Sequence, residues 1–170
     1  MKVILYTALT INGKIAKKDG STHWVSDLKE FNQMCKKIGA VVVGRKTWDE
    51  MNPDWLPYPE GQGLYIVLTH IENLKNSNPK TIFTSSPPIE IIKLVQDLGR
   101  QEIIVIGGGE TYGTFLKSAV VDEIYVSVEP YIFGQGIRFF PESDFEMNLK
   151  LLESKNLSDQ TIQLHYKVNK

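Results

Sequence analysis

Three short motifs in this chain combine residue types that bind phosphate groups. They are Gly44-Arg45-Lys46-Thr47, Leu68-Thr69-His70 and Gly107-Gly108-Gly109, and each follows a run of branched apolar residues. The first offers two cations and a hydroxyl, the second a hydroxyl and an imidazole, and the third bare backbone. Because these groups all suit phosphate oxygens, the three motifs together predict a site for a polyanionic cofactor. Taken alone, the first motif has a simpler interpretation as a solvated basic turn.

The triple glycine lies within residues 101–116, QEIIVIGGGETYGTFL. Branched apolar residues stop at the glycines and the apolar spacing after Glu110 is helical, which predicts a strand, a turn and a helix. Without Cβ atoms the turn lets a ligand approach the main chain, and a helix N-terminus favours an anion. A tight connection without a ligand is the alternative. The spacing does not match G-x-G-x-x-G, and the absence of G-x-x-x-x-G-K-[ST] disfavours nucleotide hydrolysis.

Asp27 is the acidic residue best placed to meet a substrate. Ser26 is predicted to cap a helix, which puts Asp27 and Glu30 in the first turn of that helix. A carboxylate there can hold the N–C–N edge of an amidine-like heterocycle and assist its protonation. The alternative is that Asp27 only stabilises the positive end of the helix dipole.

The strands that must position these residues follow from hydrophobic periodicity. Continuous apolar runs predict buried strands, and alternating residues near the C-terminus predict an edge hairpin. The predicted strands span residues 2–9, 40–43, 64–69, 81–84, 103–106, 122–128, 149–154 and 161–168. Strands that alternate with helices indicate an α/β fold in which a mostly parallel central sheet carries antiparallel C-terminal edge strands.

The helices are predicted from the same periodicity and from capping residues. A helix from Ser26 would end at Gly39 after burying one stripe of residues, namely Leu28, Phe31, Met34, Cys35 and Ile38. A brief helix is predicted at residues 47–51. Another would be capped by Ser86, begin at Pro87 and end at Gly99. Its predicted apolar face consists of Ile89, Ile92, Leu94, Val95 and Leu98.

Composition restricts the classes of protein to consider. The chain has 170 residues and a formal net charge of −1, which suits one domain and argues against binding to nucleic acid or an anionic membrane. Cys35 is the single cysteine and cannot form an intrachain disulfide. The N-terminal apolar run is too short to span a membrane and lacks a signal-peptide cleavage pattern. These features predict a cytoplasmic protein.

Four segments in order resemble the motifs of the dihydrofolate reductase superfamily: VVVGRKTWDEM, VLT, VIGGGETYGTFL and SVEPYIFGQGIRFF. The last is most similar to the branch that contains the riboflavin-biosynthesis reductase domain and some bacterial dihydrofolate reductases. The resemblance implies one three-layer domain over residues 1–170, NADPH as the cofactor, and hydride transfer to a pteridine or aminopyrimidine-type substrate. The implied activity is most like that of 5-amino-6-(5-phosphoribosylamino)uracil reductase. Dihydrofolate reductase and a non-catalytic NADPH-binding module are the alternatives.

The resemblance also implies roles for individual residues. Asp27 would be catalytic, and the substrate would be bound by Trp24, Asp27, Phe31 and Ser127. A covering loop at residues 12–16 would close over the nicotinamide. The cofactor-binding positions would be Ala8, Ile15, Gly44, Arg45, Lys46, Thr47, Leu68, Thr69, His70, Gly107, Gly108, Gly109, Glu110, Thr111 and Tyr112. No metal site is predicted.

One departure from the family pattern bears on the substrate. Dihydrofolate-reducing members place an arginine just before the strand that ends in Leu68-Thr69, where it pairs with the folate carboxylate. Here that region reads Glu60-Gly61-Gln62-Gly63 and carries no cation, which favours the riboflavin-type substrate. The resemblance further implies a homodimer, with the antiparallel tail and residues 131–140 as candidate contacts because the latter are unusually apolar.

Overall fold

The computed structural model describes residues 1–26, 28–51, 63–71, 74 and 80–170. The strands in chain order are β1 (Lys2–Thr10), β2 (Lys14–Ala16), β3 (Ala40–Gly44), β4 (Leu64–Leu68), β5 (Thr81–Thr84), β6 (Glu102–Val105), β7 (Glu123–Glu129), β8 (Ile137–Arg138), β9 (Leu149–Asn156) and β10 (Ile162–Val168). The helices are α1 (Lys29–Ile38), α2 (Arg45–Glu50), α3 (Pro88–Asp97) and α4 (Gly109–Lys117).

Eight strands form one sheet in the order β5-β4-β3-β6-β1-β7-β10-β9. The six strands from β5 to β7 are parallel neighbours, whereas β10 runs antiparallel to both β7 and β9. The predicted α/β fold with antiparallel C-terminal edge strands is therefore confirmed. Because the six strands are parallel, their carboxyl ends meet at a single edge of the sheet. A second sheet of β2 and β8 is too short to be recognised from sequence periodicity.

Helices cover both faces of the sheet and make three layers. On one face Ile91 of α3 and Phe115 of α4 join a core with β1, β3 and β6. On the other face Cys35 and Ile38 of α1 pack with Tyr6 and Val41, and Trp48 of α2 lies against the same cluster. The placement of the helices follows from the connections between parallel strands. Right-handed crossovers that run in opposite directions along the sheet place their helices on opposite faces.

The beginning of α1 differs from the prediction. Ser26 does not cap it, because the capping position is occupied by Leu28 and no side chain caps the helix. The Ser26 hydroxyl instead donates to Glu129, a tertiary contact that local sequence rules cannot see. Glu30 lies in the first turn and Gly39 ends the helix with φ 74°, as expected. Asp27 lies outside the described residues.

The buried face of α3 also differs from the prediction. The helix begins at Pro88, its capping position is Pro87 rather than Ser86, and its buried residues are Pro88, Ile91 and Val95. Ile89 and Leu98 were expected in the core but are 67% and 51% exposed. Apolar residues occur on both sides of this helix, so the contact with the sheet decides which side is buried.

Two substitutions on α3 test the observed face. We expect Ile91→Ala to lower the free energy of unfolding by about 2–5 kcal/mol, because it leaves a cavity in a close-packed core. Ile89→Ala, the matched control, should change it by less than about 0.5 kcal/mol because the side chain is already in water. Urea denaturation measures both. Equal losses would contradict the assignment of the buried face.

Candidate active site

The three phosphate-type motifs lie side by side at the carboxyl edge of the sheet. They follow β3, β4 and β6, and β3 is paired with both of the others. Helix α2 begins at Arg45 directly after β3, and α4 begins at Gly109 directly after the glycine turn. Ligands of open α/β sheets collect at this edge, so the fold brings together residues that the sequence separates by about 60 positions.

Two of the motifs are pressed against each other. The Gly44 amide donates to the Gly107 carbonyl over 2.7 Å. A Cβ on Gly44 would lie 2.6 Å from Thr111 Oγ1, and a Cβ on Gly108 would lie 3.0 Å from Thr47 Oγ1. The peptide between Gly107 and Gly108 is cis. Gly44 and Gly108 thus permit one loop to touch the other, which is a contact between loops that the sequence analysis did not consider.

The N-terminus of α4 offers unused backbone donors to this edge. Gly108 occupies the capping position, and no side chain caps the helix. The amide of Tyr112 makes the first backward hydrogen bond, to Gly108 O at 3.0 Å. The amides of the three preceding helical residues therefore lie before that bond and point toward the end of the helix, where its dipole favours an anion.

Basic and hydroxyl groups follow the neighbouring strands β3 and β4 at the same edge. Arg45 is half-buried and forms an ion pair with Asp49, in which Nη2 and Nε lie 2.6 and 2.7 Å from Oδ2. Lys46 and His70 are exposed, and Thr69 is half-buried. A solvent-exposed ion pair contributes only about 0–1 kcal/mol to stability. Asp49 therefore orients the Arg45 guanidinium, and the guanidinium can still bind a ligand anion.

Tyr112 is less accessible than its predicted place beside the cofactor ribose suggests. Its side chain is buried, and its hydroxyl donates to the Tyr6 carbonyl over 2.7 Å. Burial raises the pKa of Tyr112, so the ring stays a neutral phenol. The observed role is to tie α4 to β1 beneath Gly107, while contact with a cofactor stays a prediction. Ile15 and Leu68, which were also predicted to bind the cofactor, are partly buried and pack against the apolar core.

The α1 face of this edge carries a polar network that the sequence did not reveal. Ser127 lies opposite Ala8 in the pairing of β7 with β1. The Gln163 amide donates to the Tyr6 hydroxyl at 2.6 Å and lies 3.4 Å from Ser127 Oγ. Burial raises the pKa of Tyr6, which keeps its hydroxyl proton. The Phe31 ring meets the Tyr6 ring edge-on at 5.3 Å. Gln163 is missed by local reasoning because only the antiparallel register brings it here.

Trp24 packs against the segment after β7. Its ring contacts Phe133 at 5.3 Å and Tyr131 at 6.0 Å, so the side chain is held between loops. The buried Nε1 has no hydrogen-bond partner among the residues that the structure describes. Two of the four predicted substrate residues, Phe31 and Ser127, lie against the Tyr6 side chain, whereas the contacts of Trp24 are with other residues. The fourth, Asp27, is not among the described residues.

The predicted covering loop is tied to the segment after β7. The Asn12 side-chain amide donates to Phe133 O at 2.8 Å, and the Phe139 amide donates to Gly13 O at 3.2 Å. Residues 131–140 were expected to be dimer contacts, and Tyr131 and Ile132 are indeed 43% and 69% exposed. The phenylalanines are half-buried within the chain itself. Dimerisation stays a prediction.

Other classes of site have less support in the described part of the chain. No group of His, Cys, Asp or Glu residues there could hold a metal ion. None of the helices described is long and apolar enough to cross a membrane. Cys35 is fully buried, and burial raises the pKa of its thiol, which makes it an inert core residue.

Curated relatives match either nearly the whole chain or a large part of it. The uncharacterized protein YwjB of Bacillus subtilis is 28% identical over 170 residues, with 97% of each chain covered. Dihydrofolate reductase of Heliothis virescens is 30% identical over 112 residues, which span 64% of this chain and 58% of that enzyme.

Solved structures share the fold. A putative riboflavin biosynthesis protein from Shewanella sp. PV-4 superposes with a TM-score of 0.84 at 23% identity, with both chains fully covered. The deaminase/5-amino-6-(5-phosphoribosylamino)uracil reductase of Thermotoga maritima has a TM-score of 0.78 at 21% identity, covering 99% of this chain and 56% of that one. Dihydrofolate reductase of Enterococcus faecalis, solved with NADP(H), has a TM-score of 0.71 at 18% identity, covering 99% and 97%.

A family model decides the classification. The model of the RibD C-terminal domain matches residues 1–163, nearly the full length described above. The match spans β1, the motifs after β3, β4 and β6, and β7 with its polar network. The chain belongs to the RibD C-terminal domain family, whose structural neighbours include reductases of riboflavin biosynthesis and dihydrofolate reductase.

Proposed function

We propose that this protein is an NADPH-dependent reductase that delivers hydride to a pteridine or aminopyrimidine-type heterocycle. The observation that carries the proposal is the meeting of the uncapped α4 N-terminus with Arg45, Lys46 and Thr47 at the carboxyl edge, next to Ala8 and Ser127. One side of that edge suits phosphates, and the other suits the polar rim of a flat ring.

The donor set fits a nicotinamide dinucleotide phosphate. Cations, hydroxyls and helix amides are the groups that bind phosphate oxygens, and they are concentrated after β3, β4 and β6. The pyrophosphate would be held by Arg45, Thr47 and the α4 amides, and the 2′-phosphate by Thr69 and His70. NADPH, when bound, supplies the hydride. A dihydrofolate reductase with this fold has been solved with NADP(H), which supports the choice of cofactor.

The chain's own residues would orient the acceptor ring and manage one proton. Ser127 presents a hydroxyl fixed by Tyr6 and Gln163, which can bind a ring carbonyl or nitrogen. Phe31 offers a half-buried apolar surface for the ring. Asp27 would hold the N–C–N edge and protonate the acceptor as hydride arrives. Trp24 and the covering loop would exclude water, which favours hydride transfer over side reactions.

The substrate class most like this site is the aminopyrimidine of riboflavin biosynthesis. The family assignment supports it, as does the likeness in fold to the Thermotoga maritima enzyme, although this chain spans about half of that enzyme's length. Dihydrofolate is the second candidate because the Heliothis virescens enzyme is 30% identical to this chain. The cation-free residues 60–62, which weigh against a folate tail, lie outside the described residues.

Cofactor discrimination is the first test. We expect Thr69→Ala combined with His70→Ala to weaken NADPH binding by about tenfold or more, because a hydrogen bond to a charged group contributes about 1.5–3 kcal/mol. NADH binding should stay nearly unchanged, because NADH lacks the 2′-phosphate assigned to these two residues. Titration of nucleotide fluorescence measures both affinities. Lys93→Ala, on the exposed side of α3, is the control. Unaltered preference for NADPH in the double variant would refute the phosphate assignment.

The proton donor is the second test. We expect Asp27→Asn to retain NADPH affinity and lose most turnover, by about 100-fold or more, because proton transfer by a positioned side chain contributes about 10²–10⁴-fold. Glu30→Gln is the matched control, since Glu30 is an acid in the first turn of α1 that pairs with Lys155. Turnover that stays unchanged in Asp27→Asn would remove Asp27 from the mechanism.

A substrate panel decides between the candidates. NADPH oxidation is followed with dihydrofolate and with 5-amino-6-(5-phosphoribosylamino)uracil, the compound that the riboflavin-pathway reductase reduces. We expect turnover with the second. Efficient reduction of dihydrofolate would reverse the order of the candidates, and tight NADPH binding without turnover of either would favour a non-catalytic binding module.

A further inference from the structure

Glu129 ends β7 as a carboxyl group that is only 1% exposed, and no step proposed above uses it. Its Oε2 accepts hydrogen bonds from the hydroxyls of Ser26 at 2.9 Å and Thr161 at 3.0 Å. Among the described residues, no basic side chain forms an ion pair with it. Burying a carboxyl group is unfavourable unless it is hydrogen-bonded, so these two hydroxyls are what stabilise it there.

The two hydroxyls act on one oxygen at the same time. Ser26 Oγ and Thr161 Oγ1 lie 3.1 Å apart, which closes a triangle with Glu129 Oε2. Each hydroxyl can donate one proton, so only two of the three oxygen–oxygen contacts in this triangle can be hydrogen bonds at one time. The carboxyl oxygen is the strongest acceptor of the three and takes both. The Ser26 hydroxyl is therefore held by Glu129 Oε2. The Thr161 hydroxyl donates the second hydrogen bond to the same oxygen.

Glu129 and Thr161 belong to the rigid part of the molecule. Glu129 lies opposite Thr10 of β1, and the preceding residue of β7 is paired with β10. Thr161 accepts a backbone hydrogen bond from Leu157 at 2.9 Å in the turn before β10. These pairings fix the carboxyl group relative to the sheet, which makes it a firm attachment point.

Ser26 belongs to a segment without regular structure. Between β2 and α1 the described residues form neither strand nor helix, and the N-terminus of α1 has no side-chain cap. The segment is held at two places, by the ring contacts of Trp24 and by the Ser26–Glu129 hydrogen bond. Ser26 directly precedes Asp27 in the chain. A restraint on Ser26 therefore fixes the residue from which the chain continues to Asp27.

We propose that Glu129 is a positioning residue that fixes Ser26, and through it the backbone leading into Asp27, on the substrate side of the site. The inference rests on the proposed function, in which Asp27 holds and protonates the acceptor ring. A carboxylate that must meet both edge atoms of a heterocycle tolerates little displacement, because a shift of about 1 Å in a reacting group lowers rates by up to about 100-fold.

Two variants and a matched control test this role. Glu129→Leu removes the acceptor, and Ser26→Ala removes one donor from an exposed side chain and so leaves the core intact. Glu123→Gln is the control, because Glu123 lies on the same face of β7 at its other end and binds His165 and Lys2. Hydrogen exchange of the Val25 amide, which donates to Thr22 O at 3.0 Å, reports on the segment independently of activity.

We expect both variants to speed Val25 exchange by about tenfold, since loss of a local restraint lowers the free energy of local opening. Turnover of whichever heterocycle the wild type reduces should fall by about tenfold or more, while the NADPH dissociation constant changes by less than about twofold. Glu123→Gln should leave all three quantities unchanged. The combination of faster exchange, slower turnover and intact cofactor binding is not expected from a purely structural residue.

Two results would overturn the proposal. Unchanged Val25 exchange in both variants would mean that the Trp24 contacts alone hold the segment. Faster exchange with normal turnover would mean that Glu129 holds the segment without positioning a reacting group. A wild-type protein that binds no NADPH would refute the proposed function instead, and the exchange measurement separates that failure from a failure of the Glu129 anchor.

Discussion

The close contact between the loops after β3 and β6 is the constraint on which the carboxyl edge depends. The Gly44 amide reaches the Gly107 carbonyl, a Cβ on Gly44 would meet Thr111 Oγ1, and a Cβ on Gly108 would press on Thr47 Oγ1. This contact sets the N-termini of α2 and α4 beside each other. Larger residues at the two glycine positions would push the loops apart and separate these helix N-termini.

Different interactions stabilise the two halves of the candidate site. The half near β3 and β6 depends on the absence of side chains, so backbone amides and a helix dipole dominate it. The half near β7 and β10 depends on buried polar side chains. Tyr6, Ser127 and Gln163 satisfy one another, and Glu129 accepts hydrogen bonds from two hydroxyl groups. Such groups are unfavourable in a core unless every one is hydrogen-bonded, so this half tolerates little change in any single member.

Predictions from local pattern were wrong where a tertiary contact offered a competing partner. Ser26 is a good capping residue by type, but its hydroxyl donates to Glu129, whereas a capping serine accepts a hydrogen bond from a helix amide. On α3 the buried side includes Ile91 rather than Ile89, because both sides of the helix are apolar and only the sheet distinguishes them. Glu129 itself gave no local signal beyond ending an apolar strand.

The sequence alone determined the eight strands of the main sheet, the chain order of the three phosphate-type motifs and the family. Those features are local, since apolar runs, glycine turns and cation-hydroxyl motifs express themselves over fewer than about ten residues. Only the tertiary structure decided that Gln163 meets Tyr6 and that Glu129 meets Ser26. The two residues of each pair are separated by more than 100 positions in the chain. The contact of Gln163 also depends on the register of β10 beside β7, because a shift of one residue would turn its side chain to the other face of the sheet.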